Sequence, residues 1–115
     1  MSEECLFCKI IDGQLKSNIV YQDDQVVAFE DVNPQAPHHY LIVPRKHIRT
    51  TLDLSSADNE MIGHIYQIAG KLAHDMEFAE DGFRVVNNCN EGAGQSVWHI
   101  HFHLLGGRDL TWPPG

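Results

Sequence analysis

Trp98-His99-Ile100-His101-Phe102-His103-Leu104-Leu105 alternates imidazoles with large apolar side chains at a period of two. In an extended strand, residues two apart share a face at a spacing of roughly 6.6 Å. The reading is a final strand from Val97 to Leu105, with His99, His101 and His103 on one wall and Trp98, Ile100, Phe102 and Leu104 turned into a core. A polar sheet face that happens to be rich in histidine is the plain alternative. Eight histidines in 115 residues, three of them in strict alternation, favour chemistry. Two chemistries compete. In one the rings share a metal, although adjacent on-face rings stand rather far apart for one ion and a catalytic metal usually also brings nearby carboxylates. Alternatively one ring acts as nucleophile while its neighbours tune it, because neutral imidazole attacks phosphorus well and a phosphorylated imidazole is cleared by water. The stretch ahead of the strand, with Asn88, Gly94, Gln95 and Ser96, offers donors to clamp a phosphate. Read alone, its glycines mark an ordinary turn.

Outward from this strand, alternation and β-branched content predict strands at Ile19 to Gln22, Val26 to Glu30 and Tyr40 to Val43, with Asp23 and Asp24 as the first turn. Asp31 to His39, carrying Pro34 and Pro37, joins the second strand to the third. Between Ser55 and Phe78, Ile62, Ile65, Ala69, Leu72 and Met76 recur every three or four positions, and Ser55 with Asp58 forms a capping-box pattern. Gly82 is the expected helix stop, followed by a strand over Phe83 to Asn88 and a loop over Asn90 to Gln95. Hairpin-linked strands with one major helix predict an α+β antiparallel sheet rather than a doubly wound one. The length suits one domain over residues 1–115.

The formal net charge of −8 argues against a protein that coats nucleic acid or anionic membrane. Arg45, Lys46 and Arg49 form the one basic cluster, either a solvated loop or a local phosphate patch. No apolar run approaches the roughly 20 residues of a membrane span, and Met1-Ser2-Glu3-Glu4 lacks the basic start of a signal peptide. The expected location is the cytoplasm. Three cysteines without an export signal point away from a disulfide framework. Cys5-x-x-Cys8 has the spacing of a zinc-ligand pair, though a lone pair needs two more ligands. Cys89 reads as a small buried side chain, and His38, His39, His64 and His74 receive no role.

The run from His99 to Leu105 resembles the signature of the histidine-triad (HIT) family, in its nucleotide-binding, purine nucleoside phosphoramidase branch. The likeness extends through Phe7-Cys8-Lys9-Ile10-Ile11, Asp31-Val32-Asn33-Pro34-Gln35-Ala36-Pro37, Pro44-Arg45-Lys46-His47-Ile48, Gly94-Gln95-Ser96-Val97, Leu104-Leu105-Gly106-Gly107-Arg108 and Trp112-Pro113-Pro114-Gly115. The resemblance implies a five-stranded antiparallel sheet with one long and one short helix. It also implies a homodimer whose sheets join into ten strands. By resemblance, the substrate is a purine nucleoside phosphoramidate or aminoacyl adenylate. His101 attacks the α-phosphorus to form a nucleotidyl-histidine, His103 contacts the phosphate and His99 orients the site.

The same likeness makes Asp31 the acceptor for the ribose hydroxyls, with Val32 beside it, and Phe7, Leu15 and Phe29 the base pocket. Asn88 and Ser96 fall near the phosphate and leaving group, where the Ser96 hydroxyl relays a proton, and Gly94 and Gln95 belong to the same phosphate loop. Asp31 as an Asx cap, and Phe7 and Phe29 as plain core, are the ordinary alternatives. The terminus from Trp112 to Gly115 resembles a tail that reaches the partner's site. Metal-binding relatives complete the cysteine pair with residues matching His47 and His99, which implies a closed structural zinc site of Cys5, Cys8, His47 and His99, while the chemistry itself needs no metal. Cleavage of dinucleoside polyphosphates, or a nucleotide-binding interaction module with incidental catalysis, are the competing functions.

Overall fold

The computed structural model describes residues 5–115; Met1 to Glu4, read above as lacking a signal-peptide start, lie outside the described residues. The order of elements is α1 (Leu6–Ile11), β1 (Ile19–Gln22), β2 (Val26–Glu30), β3 (His38–Pro44), α2 (Asn59–Asp75), β4 (Phe83–Val86) and β5 (Phe102–Gly106). The five strands form one antiparallel sheet in the order β1-β2-β3-β5-β4. This is the expected α+β architecture, with one long helix and one short. No described helix is long and apolar enough to cross a membrane.

Both faces of the sheet are covered, which explains why β2 and β3 read as nearly continuous apolar runs. Val26, Ala28, Tyr40, Ile42, Phe102 and Leu104 pack against Ile65, Ile68, Ala69 and Leu72 of α2. The alternate residues Val27, Phe29, Leu41 and Val43 pack against Phe7 and Ile10 of α1. Each large aliphatic side chain buried here contributes about 1.5–3 kcal/mol. His103, paired with Leu41, falls on the α1 face, so the short helix and the histidines share one side of the sheet.

The helix begins as predicted: Ser55 and Asp58 make the capping box, and the turn Ser56–Asp58 winds into α2. Its end is a correction, because Gly82 is not the stop. Glu77 takes the left-handed conformation at φ 65. The Glu77 N–H donates to the His74 carbonyl at 3.1 Å and the Phe78 N–H to the Ala73 carbonyl at 2.9 Å, a Schellman closure. Burial of Phe78 makes a non-glycine residue acceptable there.

The final strand is the larger correction. It covers Phe102–Gly106 rather than Val97 to Leu105, so His99 and His101 precede it. The ladder with β3 begins at Ile42–Phe102, and β3 ends at Pro44, which has no N–H to give. Irregular bonds replace the ladder: the Ile100 N–H donates to the Ile48 carbonyl at 2.6 Å, and the Asn87 amide donates to the His101 carbonyl at 3.0 Å. Ile100, Phe102 and Leu104 do enter the core, but Trp98 stays partly exposed beneath Arg49. The strand expected over Phe83 to Asn88 stops at Val86, and Cys89 is half-buried rather than buried.

Gly106 seals one end of the core. A Cβ there would come within 2.6 Å of Phe78 Cε1, and the Phe78 ring stacks on His38 at 4.3 Å. Gly106→Ala should cost about 1–3 kcal/mol and Phe78→Ala about 3–5 kcal/mol. The double variant should cost clearly less than the sum in urea denaturation, since the emptied ring site accepts the methyl group; strict additivity would contradict this packing.

Candidate functional site

A cleft of about 470 Å³ opens between α1 and the histidine segment. Phe7, Leu15 and Phe29 form its apolar wall, with Phe7 and Phe29 edge to face at 5.4 Å. Asp31, Ser96, His101 and His103 line the same cleft, and Val32 stands at its rim, 96% exposed. Asn88, Gly94 and Gln95 lie outside this wall.

Gln95 corrects an expectation. Its amide donates to the carbonyls of Arg49 at 2.9 Å and Val97 at 3.1 Å, its side-chain oxygen accepts the Asn90 N–H, and its own N–H donates to the Asn90 carbonyl. With every donor committed, Gln95 shapes the loop and has none left for a phosphate. Gly94, at φ 95, supplies the left-handed turn that glycine tolerates.

His101 is buried, and its Nδ1 lies 2.8 Å from the His99 carbonyl. A carbonyl only accepts, so this partner assigns the proton to Nδ1 and leaves a lone pair on Nε2. Burial also holds the ring below the ordinary imidazole range, keeping it neutral. Phe7 meets the ring edge-on at 5.1 Å.

His39, given no role by sequence reasoning, stands next to His103. The Gln35 backbone N–H donates to His39 Nδ1 at 3.0 Å, which puts the proton of neutral His39 on Nε2. That N–H points at His103 Nδ1, 2.9 Å away, with Asp31 Oδ2 at 3.3 Å. His103 therefore accepts at Nδ1 and carries its proton on Nε2. The chain from Gln35 through His39 to His103 sets the tautomer of a cleft-lining ring. Asp31, His39 and His103 bring ligand atoms within 4.8 Å of one another, but metal binding at His39 Nε2 would require an imidazolate. The group is better described as a hydrogen-bonded relay. Asp31 also makes the Asx turn weighed above, through Oδ1 to the Asn33 N–H at 2.8 Å.

A second cluster lies behind His99. Cys5 Sγ and Cys8 Sγ stand 3.4 and 3.5 Å from His99 Nδ1, Cys8 Sγ is 3.5 Å from His47 Nδ1, and the two Nδ1 atoms are 3.1 Å apart. A tetrahedral zinc with ordinary bond lengths implies edges of about 3.5 Å for sulfur to nitrogen and about 3.3 Å between nitrogens. These four residues form a candidate metal-binding cluster. His99 is fully buried, and its Nε2 donates to the Pro44 carbonyl at 2.7 Å, turning Nδ1 toward the sulfurs. Burial lowers His99 to about 4, while burial and the Cys5 thiol raise Cys8 to about 11. A divalent cation relieves the cost of a buried thiolate pair.

Two members of the basic cluster tie down the fold, and the third contacts an aromatic ring. Arg45 Nε donates to the Asp23 carbonyl at 2.7 Å, Lys46 pairs with Asp58 at 2.7 Å, and the Arg49 guanidinium sits 4.4 Å from the Trp98 ring centre. Asn87, also missed, carries the bond to the His101 carbonyl, while Thr51 donates to its side-chain oxygen. Only its place at the end of a predicted strand hinted at it. Of the remaining histidines, His64 pairs with Asp23 at 2.6 Å and His74 is exposed beside Asp75.

Set beside known proteins, residues 12–110 match the family model described as HIT domain. A purine nucleoside phosphoramidase of Escherichia coli (strain K12) is 49% identical over 110 residues, 96% of this chain and 92% of that protein. A HIT family hydrolase from Legionella pneumophila Philadelphia 1 has a crystal structure that superposes with a TM-score of 0.95 at 50% identity, covering 96% of this chain and 99% of the other. A HIT family hydrolase from Clostridium thermocellum gives a TM-score of 0.92 at 44% identity, covering 95% of each.

Burial lowers His103 from 6.5 to about 4, so between those values the unfolded chain binds a proton that the folded chain refuses. Stability must then fall as pH drops from about 6.5 toward 4. Urea midpoints should show this loss in the parent and a shallower one in His103→Asn; identical slopes would show that His103 titrates normally.

Proposed function

The chain belongs to the HIT domain family, and from that premise we propose that it is a nucleotide hydrolase that cleaves the P–N bond of purine nucleoside phosphoramidates, or the P–O bond of aminoacyl adenylates, through a nucleotidyl-histidine. The observation that carries this reading is the His101 lone pair on Nε2, held free by the Nδ1–H bond to the His99 carbonyl in a cleft with an apolar wall. On this reading the purine lies against Phe7, Leu15 and Phe29. Asp31 accepts from the ribose hydroxyls, and Val32 covers the sugar.

In the first step, Nε2 of His101 bonds to the α-phosphorus as the P–N bond of a phosphoramidate breaks. The electron pair leaves with the amine, which takes a proton from the Ser96 hydroxyl, replenished from solvent. The positive charge that develops on the imidazole rests against the His99 carbonyl. His103 donates through Nε2–H to a phosphate oxygen, its tautomer set by His39, and stabilises charge there as the bond breaks. In the second step, water bonds to phosphorus, its proton passes to solvent, and the electron pair of the P–N(imidazole) bond returns to His101. The product is AMP or GMP.

Cys5, Cys8, His47 and His99 would hold zinc, as the ligand distances and buried thiols support. Bound there, zinc supplies a structural tie, with all four ligands from protein and no open position for substrate. The reading also includes a cytoplasmic homodimer whose two sheets join into ten strands through an exposed edge strand.

Steady-state hydrolysis of a fluorogenic adenosine phosphoramidate tests the reading. His101→Ala should lower kcat at least about 10³-fold and still bind AMP in calorimetry. Turnover retained in that variant would sink the nucleophile assignment.

A further inference from the structure

A second groove, of about 480 Å³, lies across a ridge from the nucleotide cleft, and the two share Leu6, Ser96 and Val97 as common wall. The ridge carries Ser96, the group assigned to protonate the departing amine, so a leaving group bonded at the α-phosphorus has a direct course over it. Beyond the ridge stand Arg49 and Trp98, beside Cys5 and His47 of the candidate metal cluster. Arg49 is held twice. Its carbonyl accepts from the Gln95 amide at 2.9 Å, and its guanidinium carbon lies over the Trp98 ring, 4.4 Å from the ring centre. The neighbouring segments are stitched by the Ile100 N–H to the Ile48 carbonyl at 2.6 Å.

Arg49 differs in one respect from its two basic neighbours. Arg45 and Lys46 spend their charged groups on Asp23 carbonyl, Gln22 and Asp58. Among the described residues, the Arg49 guanidinium makes no hydrogen bond or ion pair. Contact with Trp98 takes up part of the guanidinium surface and leaves N–H donors exposed at the groove. An arginine in that state is preorganised for a planar oxyanion, which it binds through two parallel hydrogen bonds. The chain as a whole is acidic at −8, so an exposed guanidinium that makes no hydrogen bond or ion pair among the described residues is a local exception beside the cleft.

We propose that Arg49 is a specificity-determining residue for the leaving group, favouring substrates whose departing amine carries a carboxylate. This rests on the phosphoramidase reading and adds the chemical class of the leaving group. An amino acid joined through its amine to the α-phosphorus is such a substrate: cleavage breaks the P–N bond and releases the free amino acid, its carboxylate in the second groove.

Two adenosine 5′-phosphoramidates built on one amine test this, one ending in a carboxylate (β-alanine) and the other in the uncharged primary amide of the same length. The readout is the ratio of kcat/KM for acid over amide, measured on the parent, Arg49→Gln and Arg49→Lys. The parent should favour the acid by about tenfold, the size of one partly exposed charge-assisted contact. Arg49→Gln should bring the ratio to about one or below, and Arg49→Lys should restore part of it with a steeper dependence on salt. A ratio unchanged by Arg49→Gln, including an equal slowing of both substrates, would overturn the proposal. Dissociation constants of the same two compounds, taken by calorimetry in a His101→Ala background where neither is consumed, give the ratio without turnover. Absence of hydrolysis by the parent with an affinity ratio that favours the acid would count against the phosphoramidase reading, while an affinity ratio of one with Arg49 in place would count against Arg49.

Discussion

The fold and the candidate site meet at one ring. His99 is fully buried, and three parts of the molecule depend on it. Its Nε2–H holds the Pro44 carbonyl at the end of β3, its Nδ1 faces the Cys5 and Cys8 sulfurs around α1, and its own carbonyl takes the Nδ1–H of His101. A neutral ring with one donor and one acceptor makes this geometry self-consistent, because protonation of Nδ1 would turn an N–H toward His47 and the thiol pair. Burial opposes that protonation. The short helix is thereby tied to the strand it covers, and the neighbouring imidazole is oriented by a backbone atom that cannot rotate away.

The same logic governs the other rings of the face. His101 and His103 are both kept neutral by burial, yet their tautomers are opposite, since one gives Nδ1–H to a carbonyl and the other accepts at Nδ1 from His39. One ring consequently offers a lone pair at Nε2 and the other a donor. A nucleophile and an oxyanion contact can then be made from the same residue type, with ring centres 5.2 Å apart. What distinguishes them is the backbone each one faces, and ultimately the Gln35 N–H that fixes His39.

Much of this was legible in the sequence. The β1–β2 hairpin with Asp23 at its turn, the β3 run and the Ser55–Asp58 capping box follow from local pattern, which these residues satisfy without tertiary help. The alternation at His99 to Leu105 pointed to the candidate segment but overstated its regularity. Period two continues through His99 and His101, whereas the hydrogen-bonding partner runs out at Pro44 and at Val86, a limit set by other strands. His39 and Asn87 were missed for a related reason. Each acts across a gap of more than ten residues, His39 on His103 and Asn87 on the His101 carbonyl, and neither partnership leaves a periodic trace. Glu77 was passed over for Gly82 because a left-handed residue is ordinarily glycine, and only the buried Phe78 explains the exception.

The proposed chemistry turns on a bond between His101 Nε2 and the phosphorus of the substrate. Rapid acid-free quenching of the protein during turnover of an adenosine phosphoramidate, followed by intact-mass and peptide mass spectrometry, reads that bond directly. The account predicts an adenylyl adduct on the peptide containing His101, rising within the first turnover and absent in His101→Ala. An adduct on another residue, or hydrolysis with no adduct when breakdown of the adenylyl-enzyme is the slow step, would contradict it.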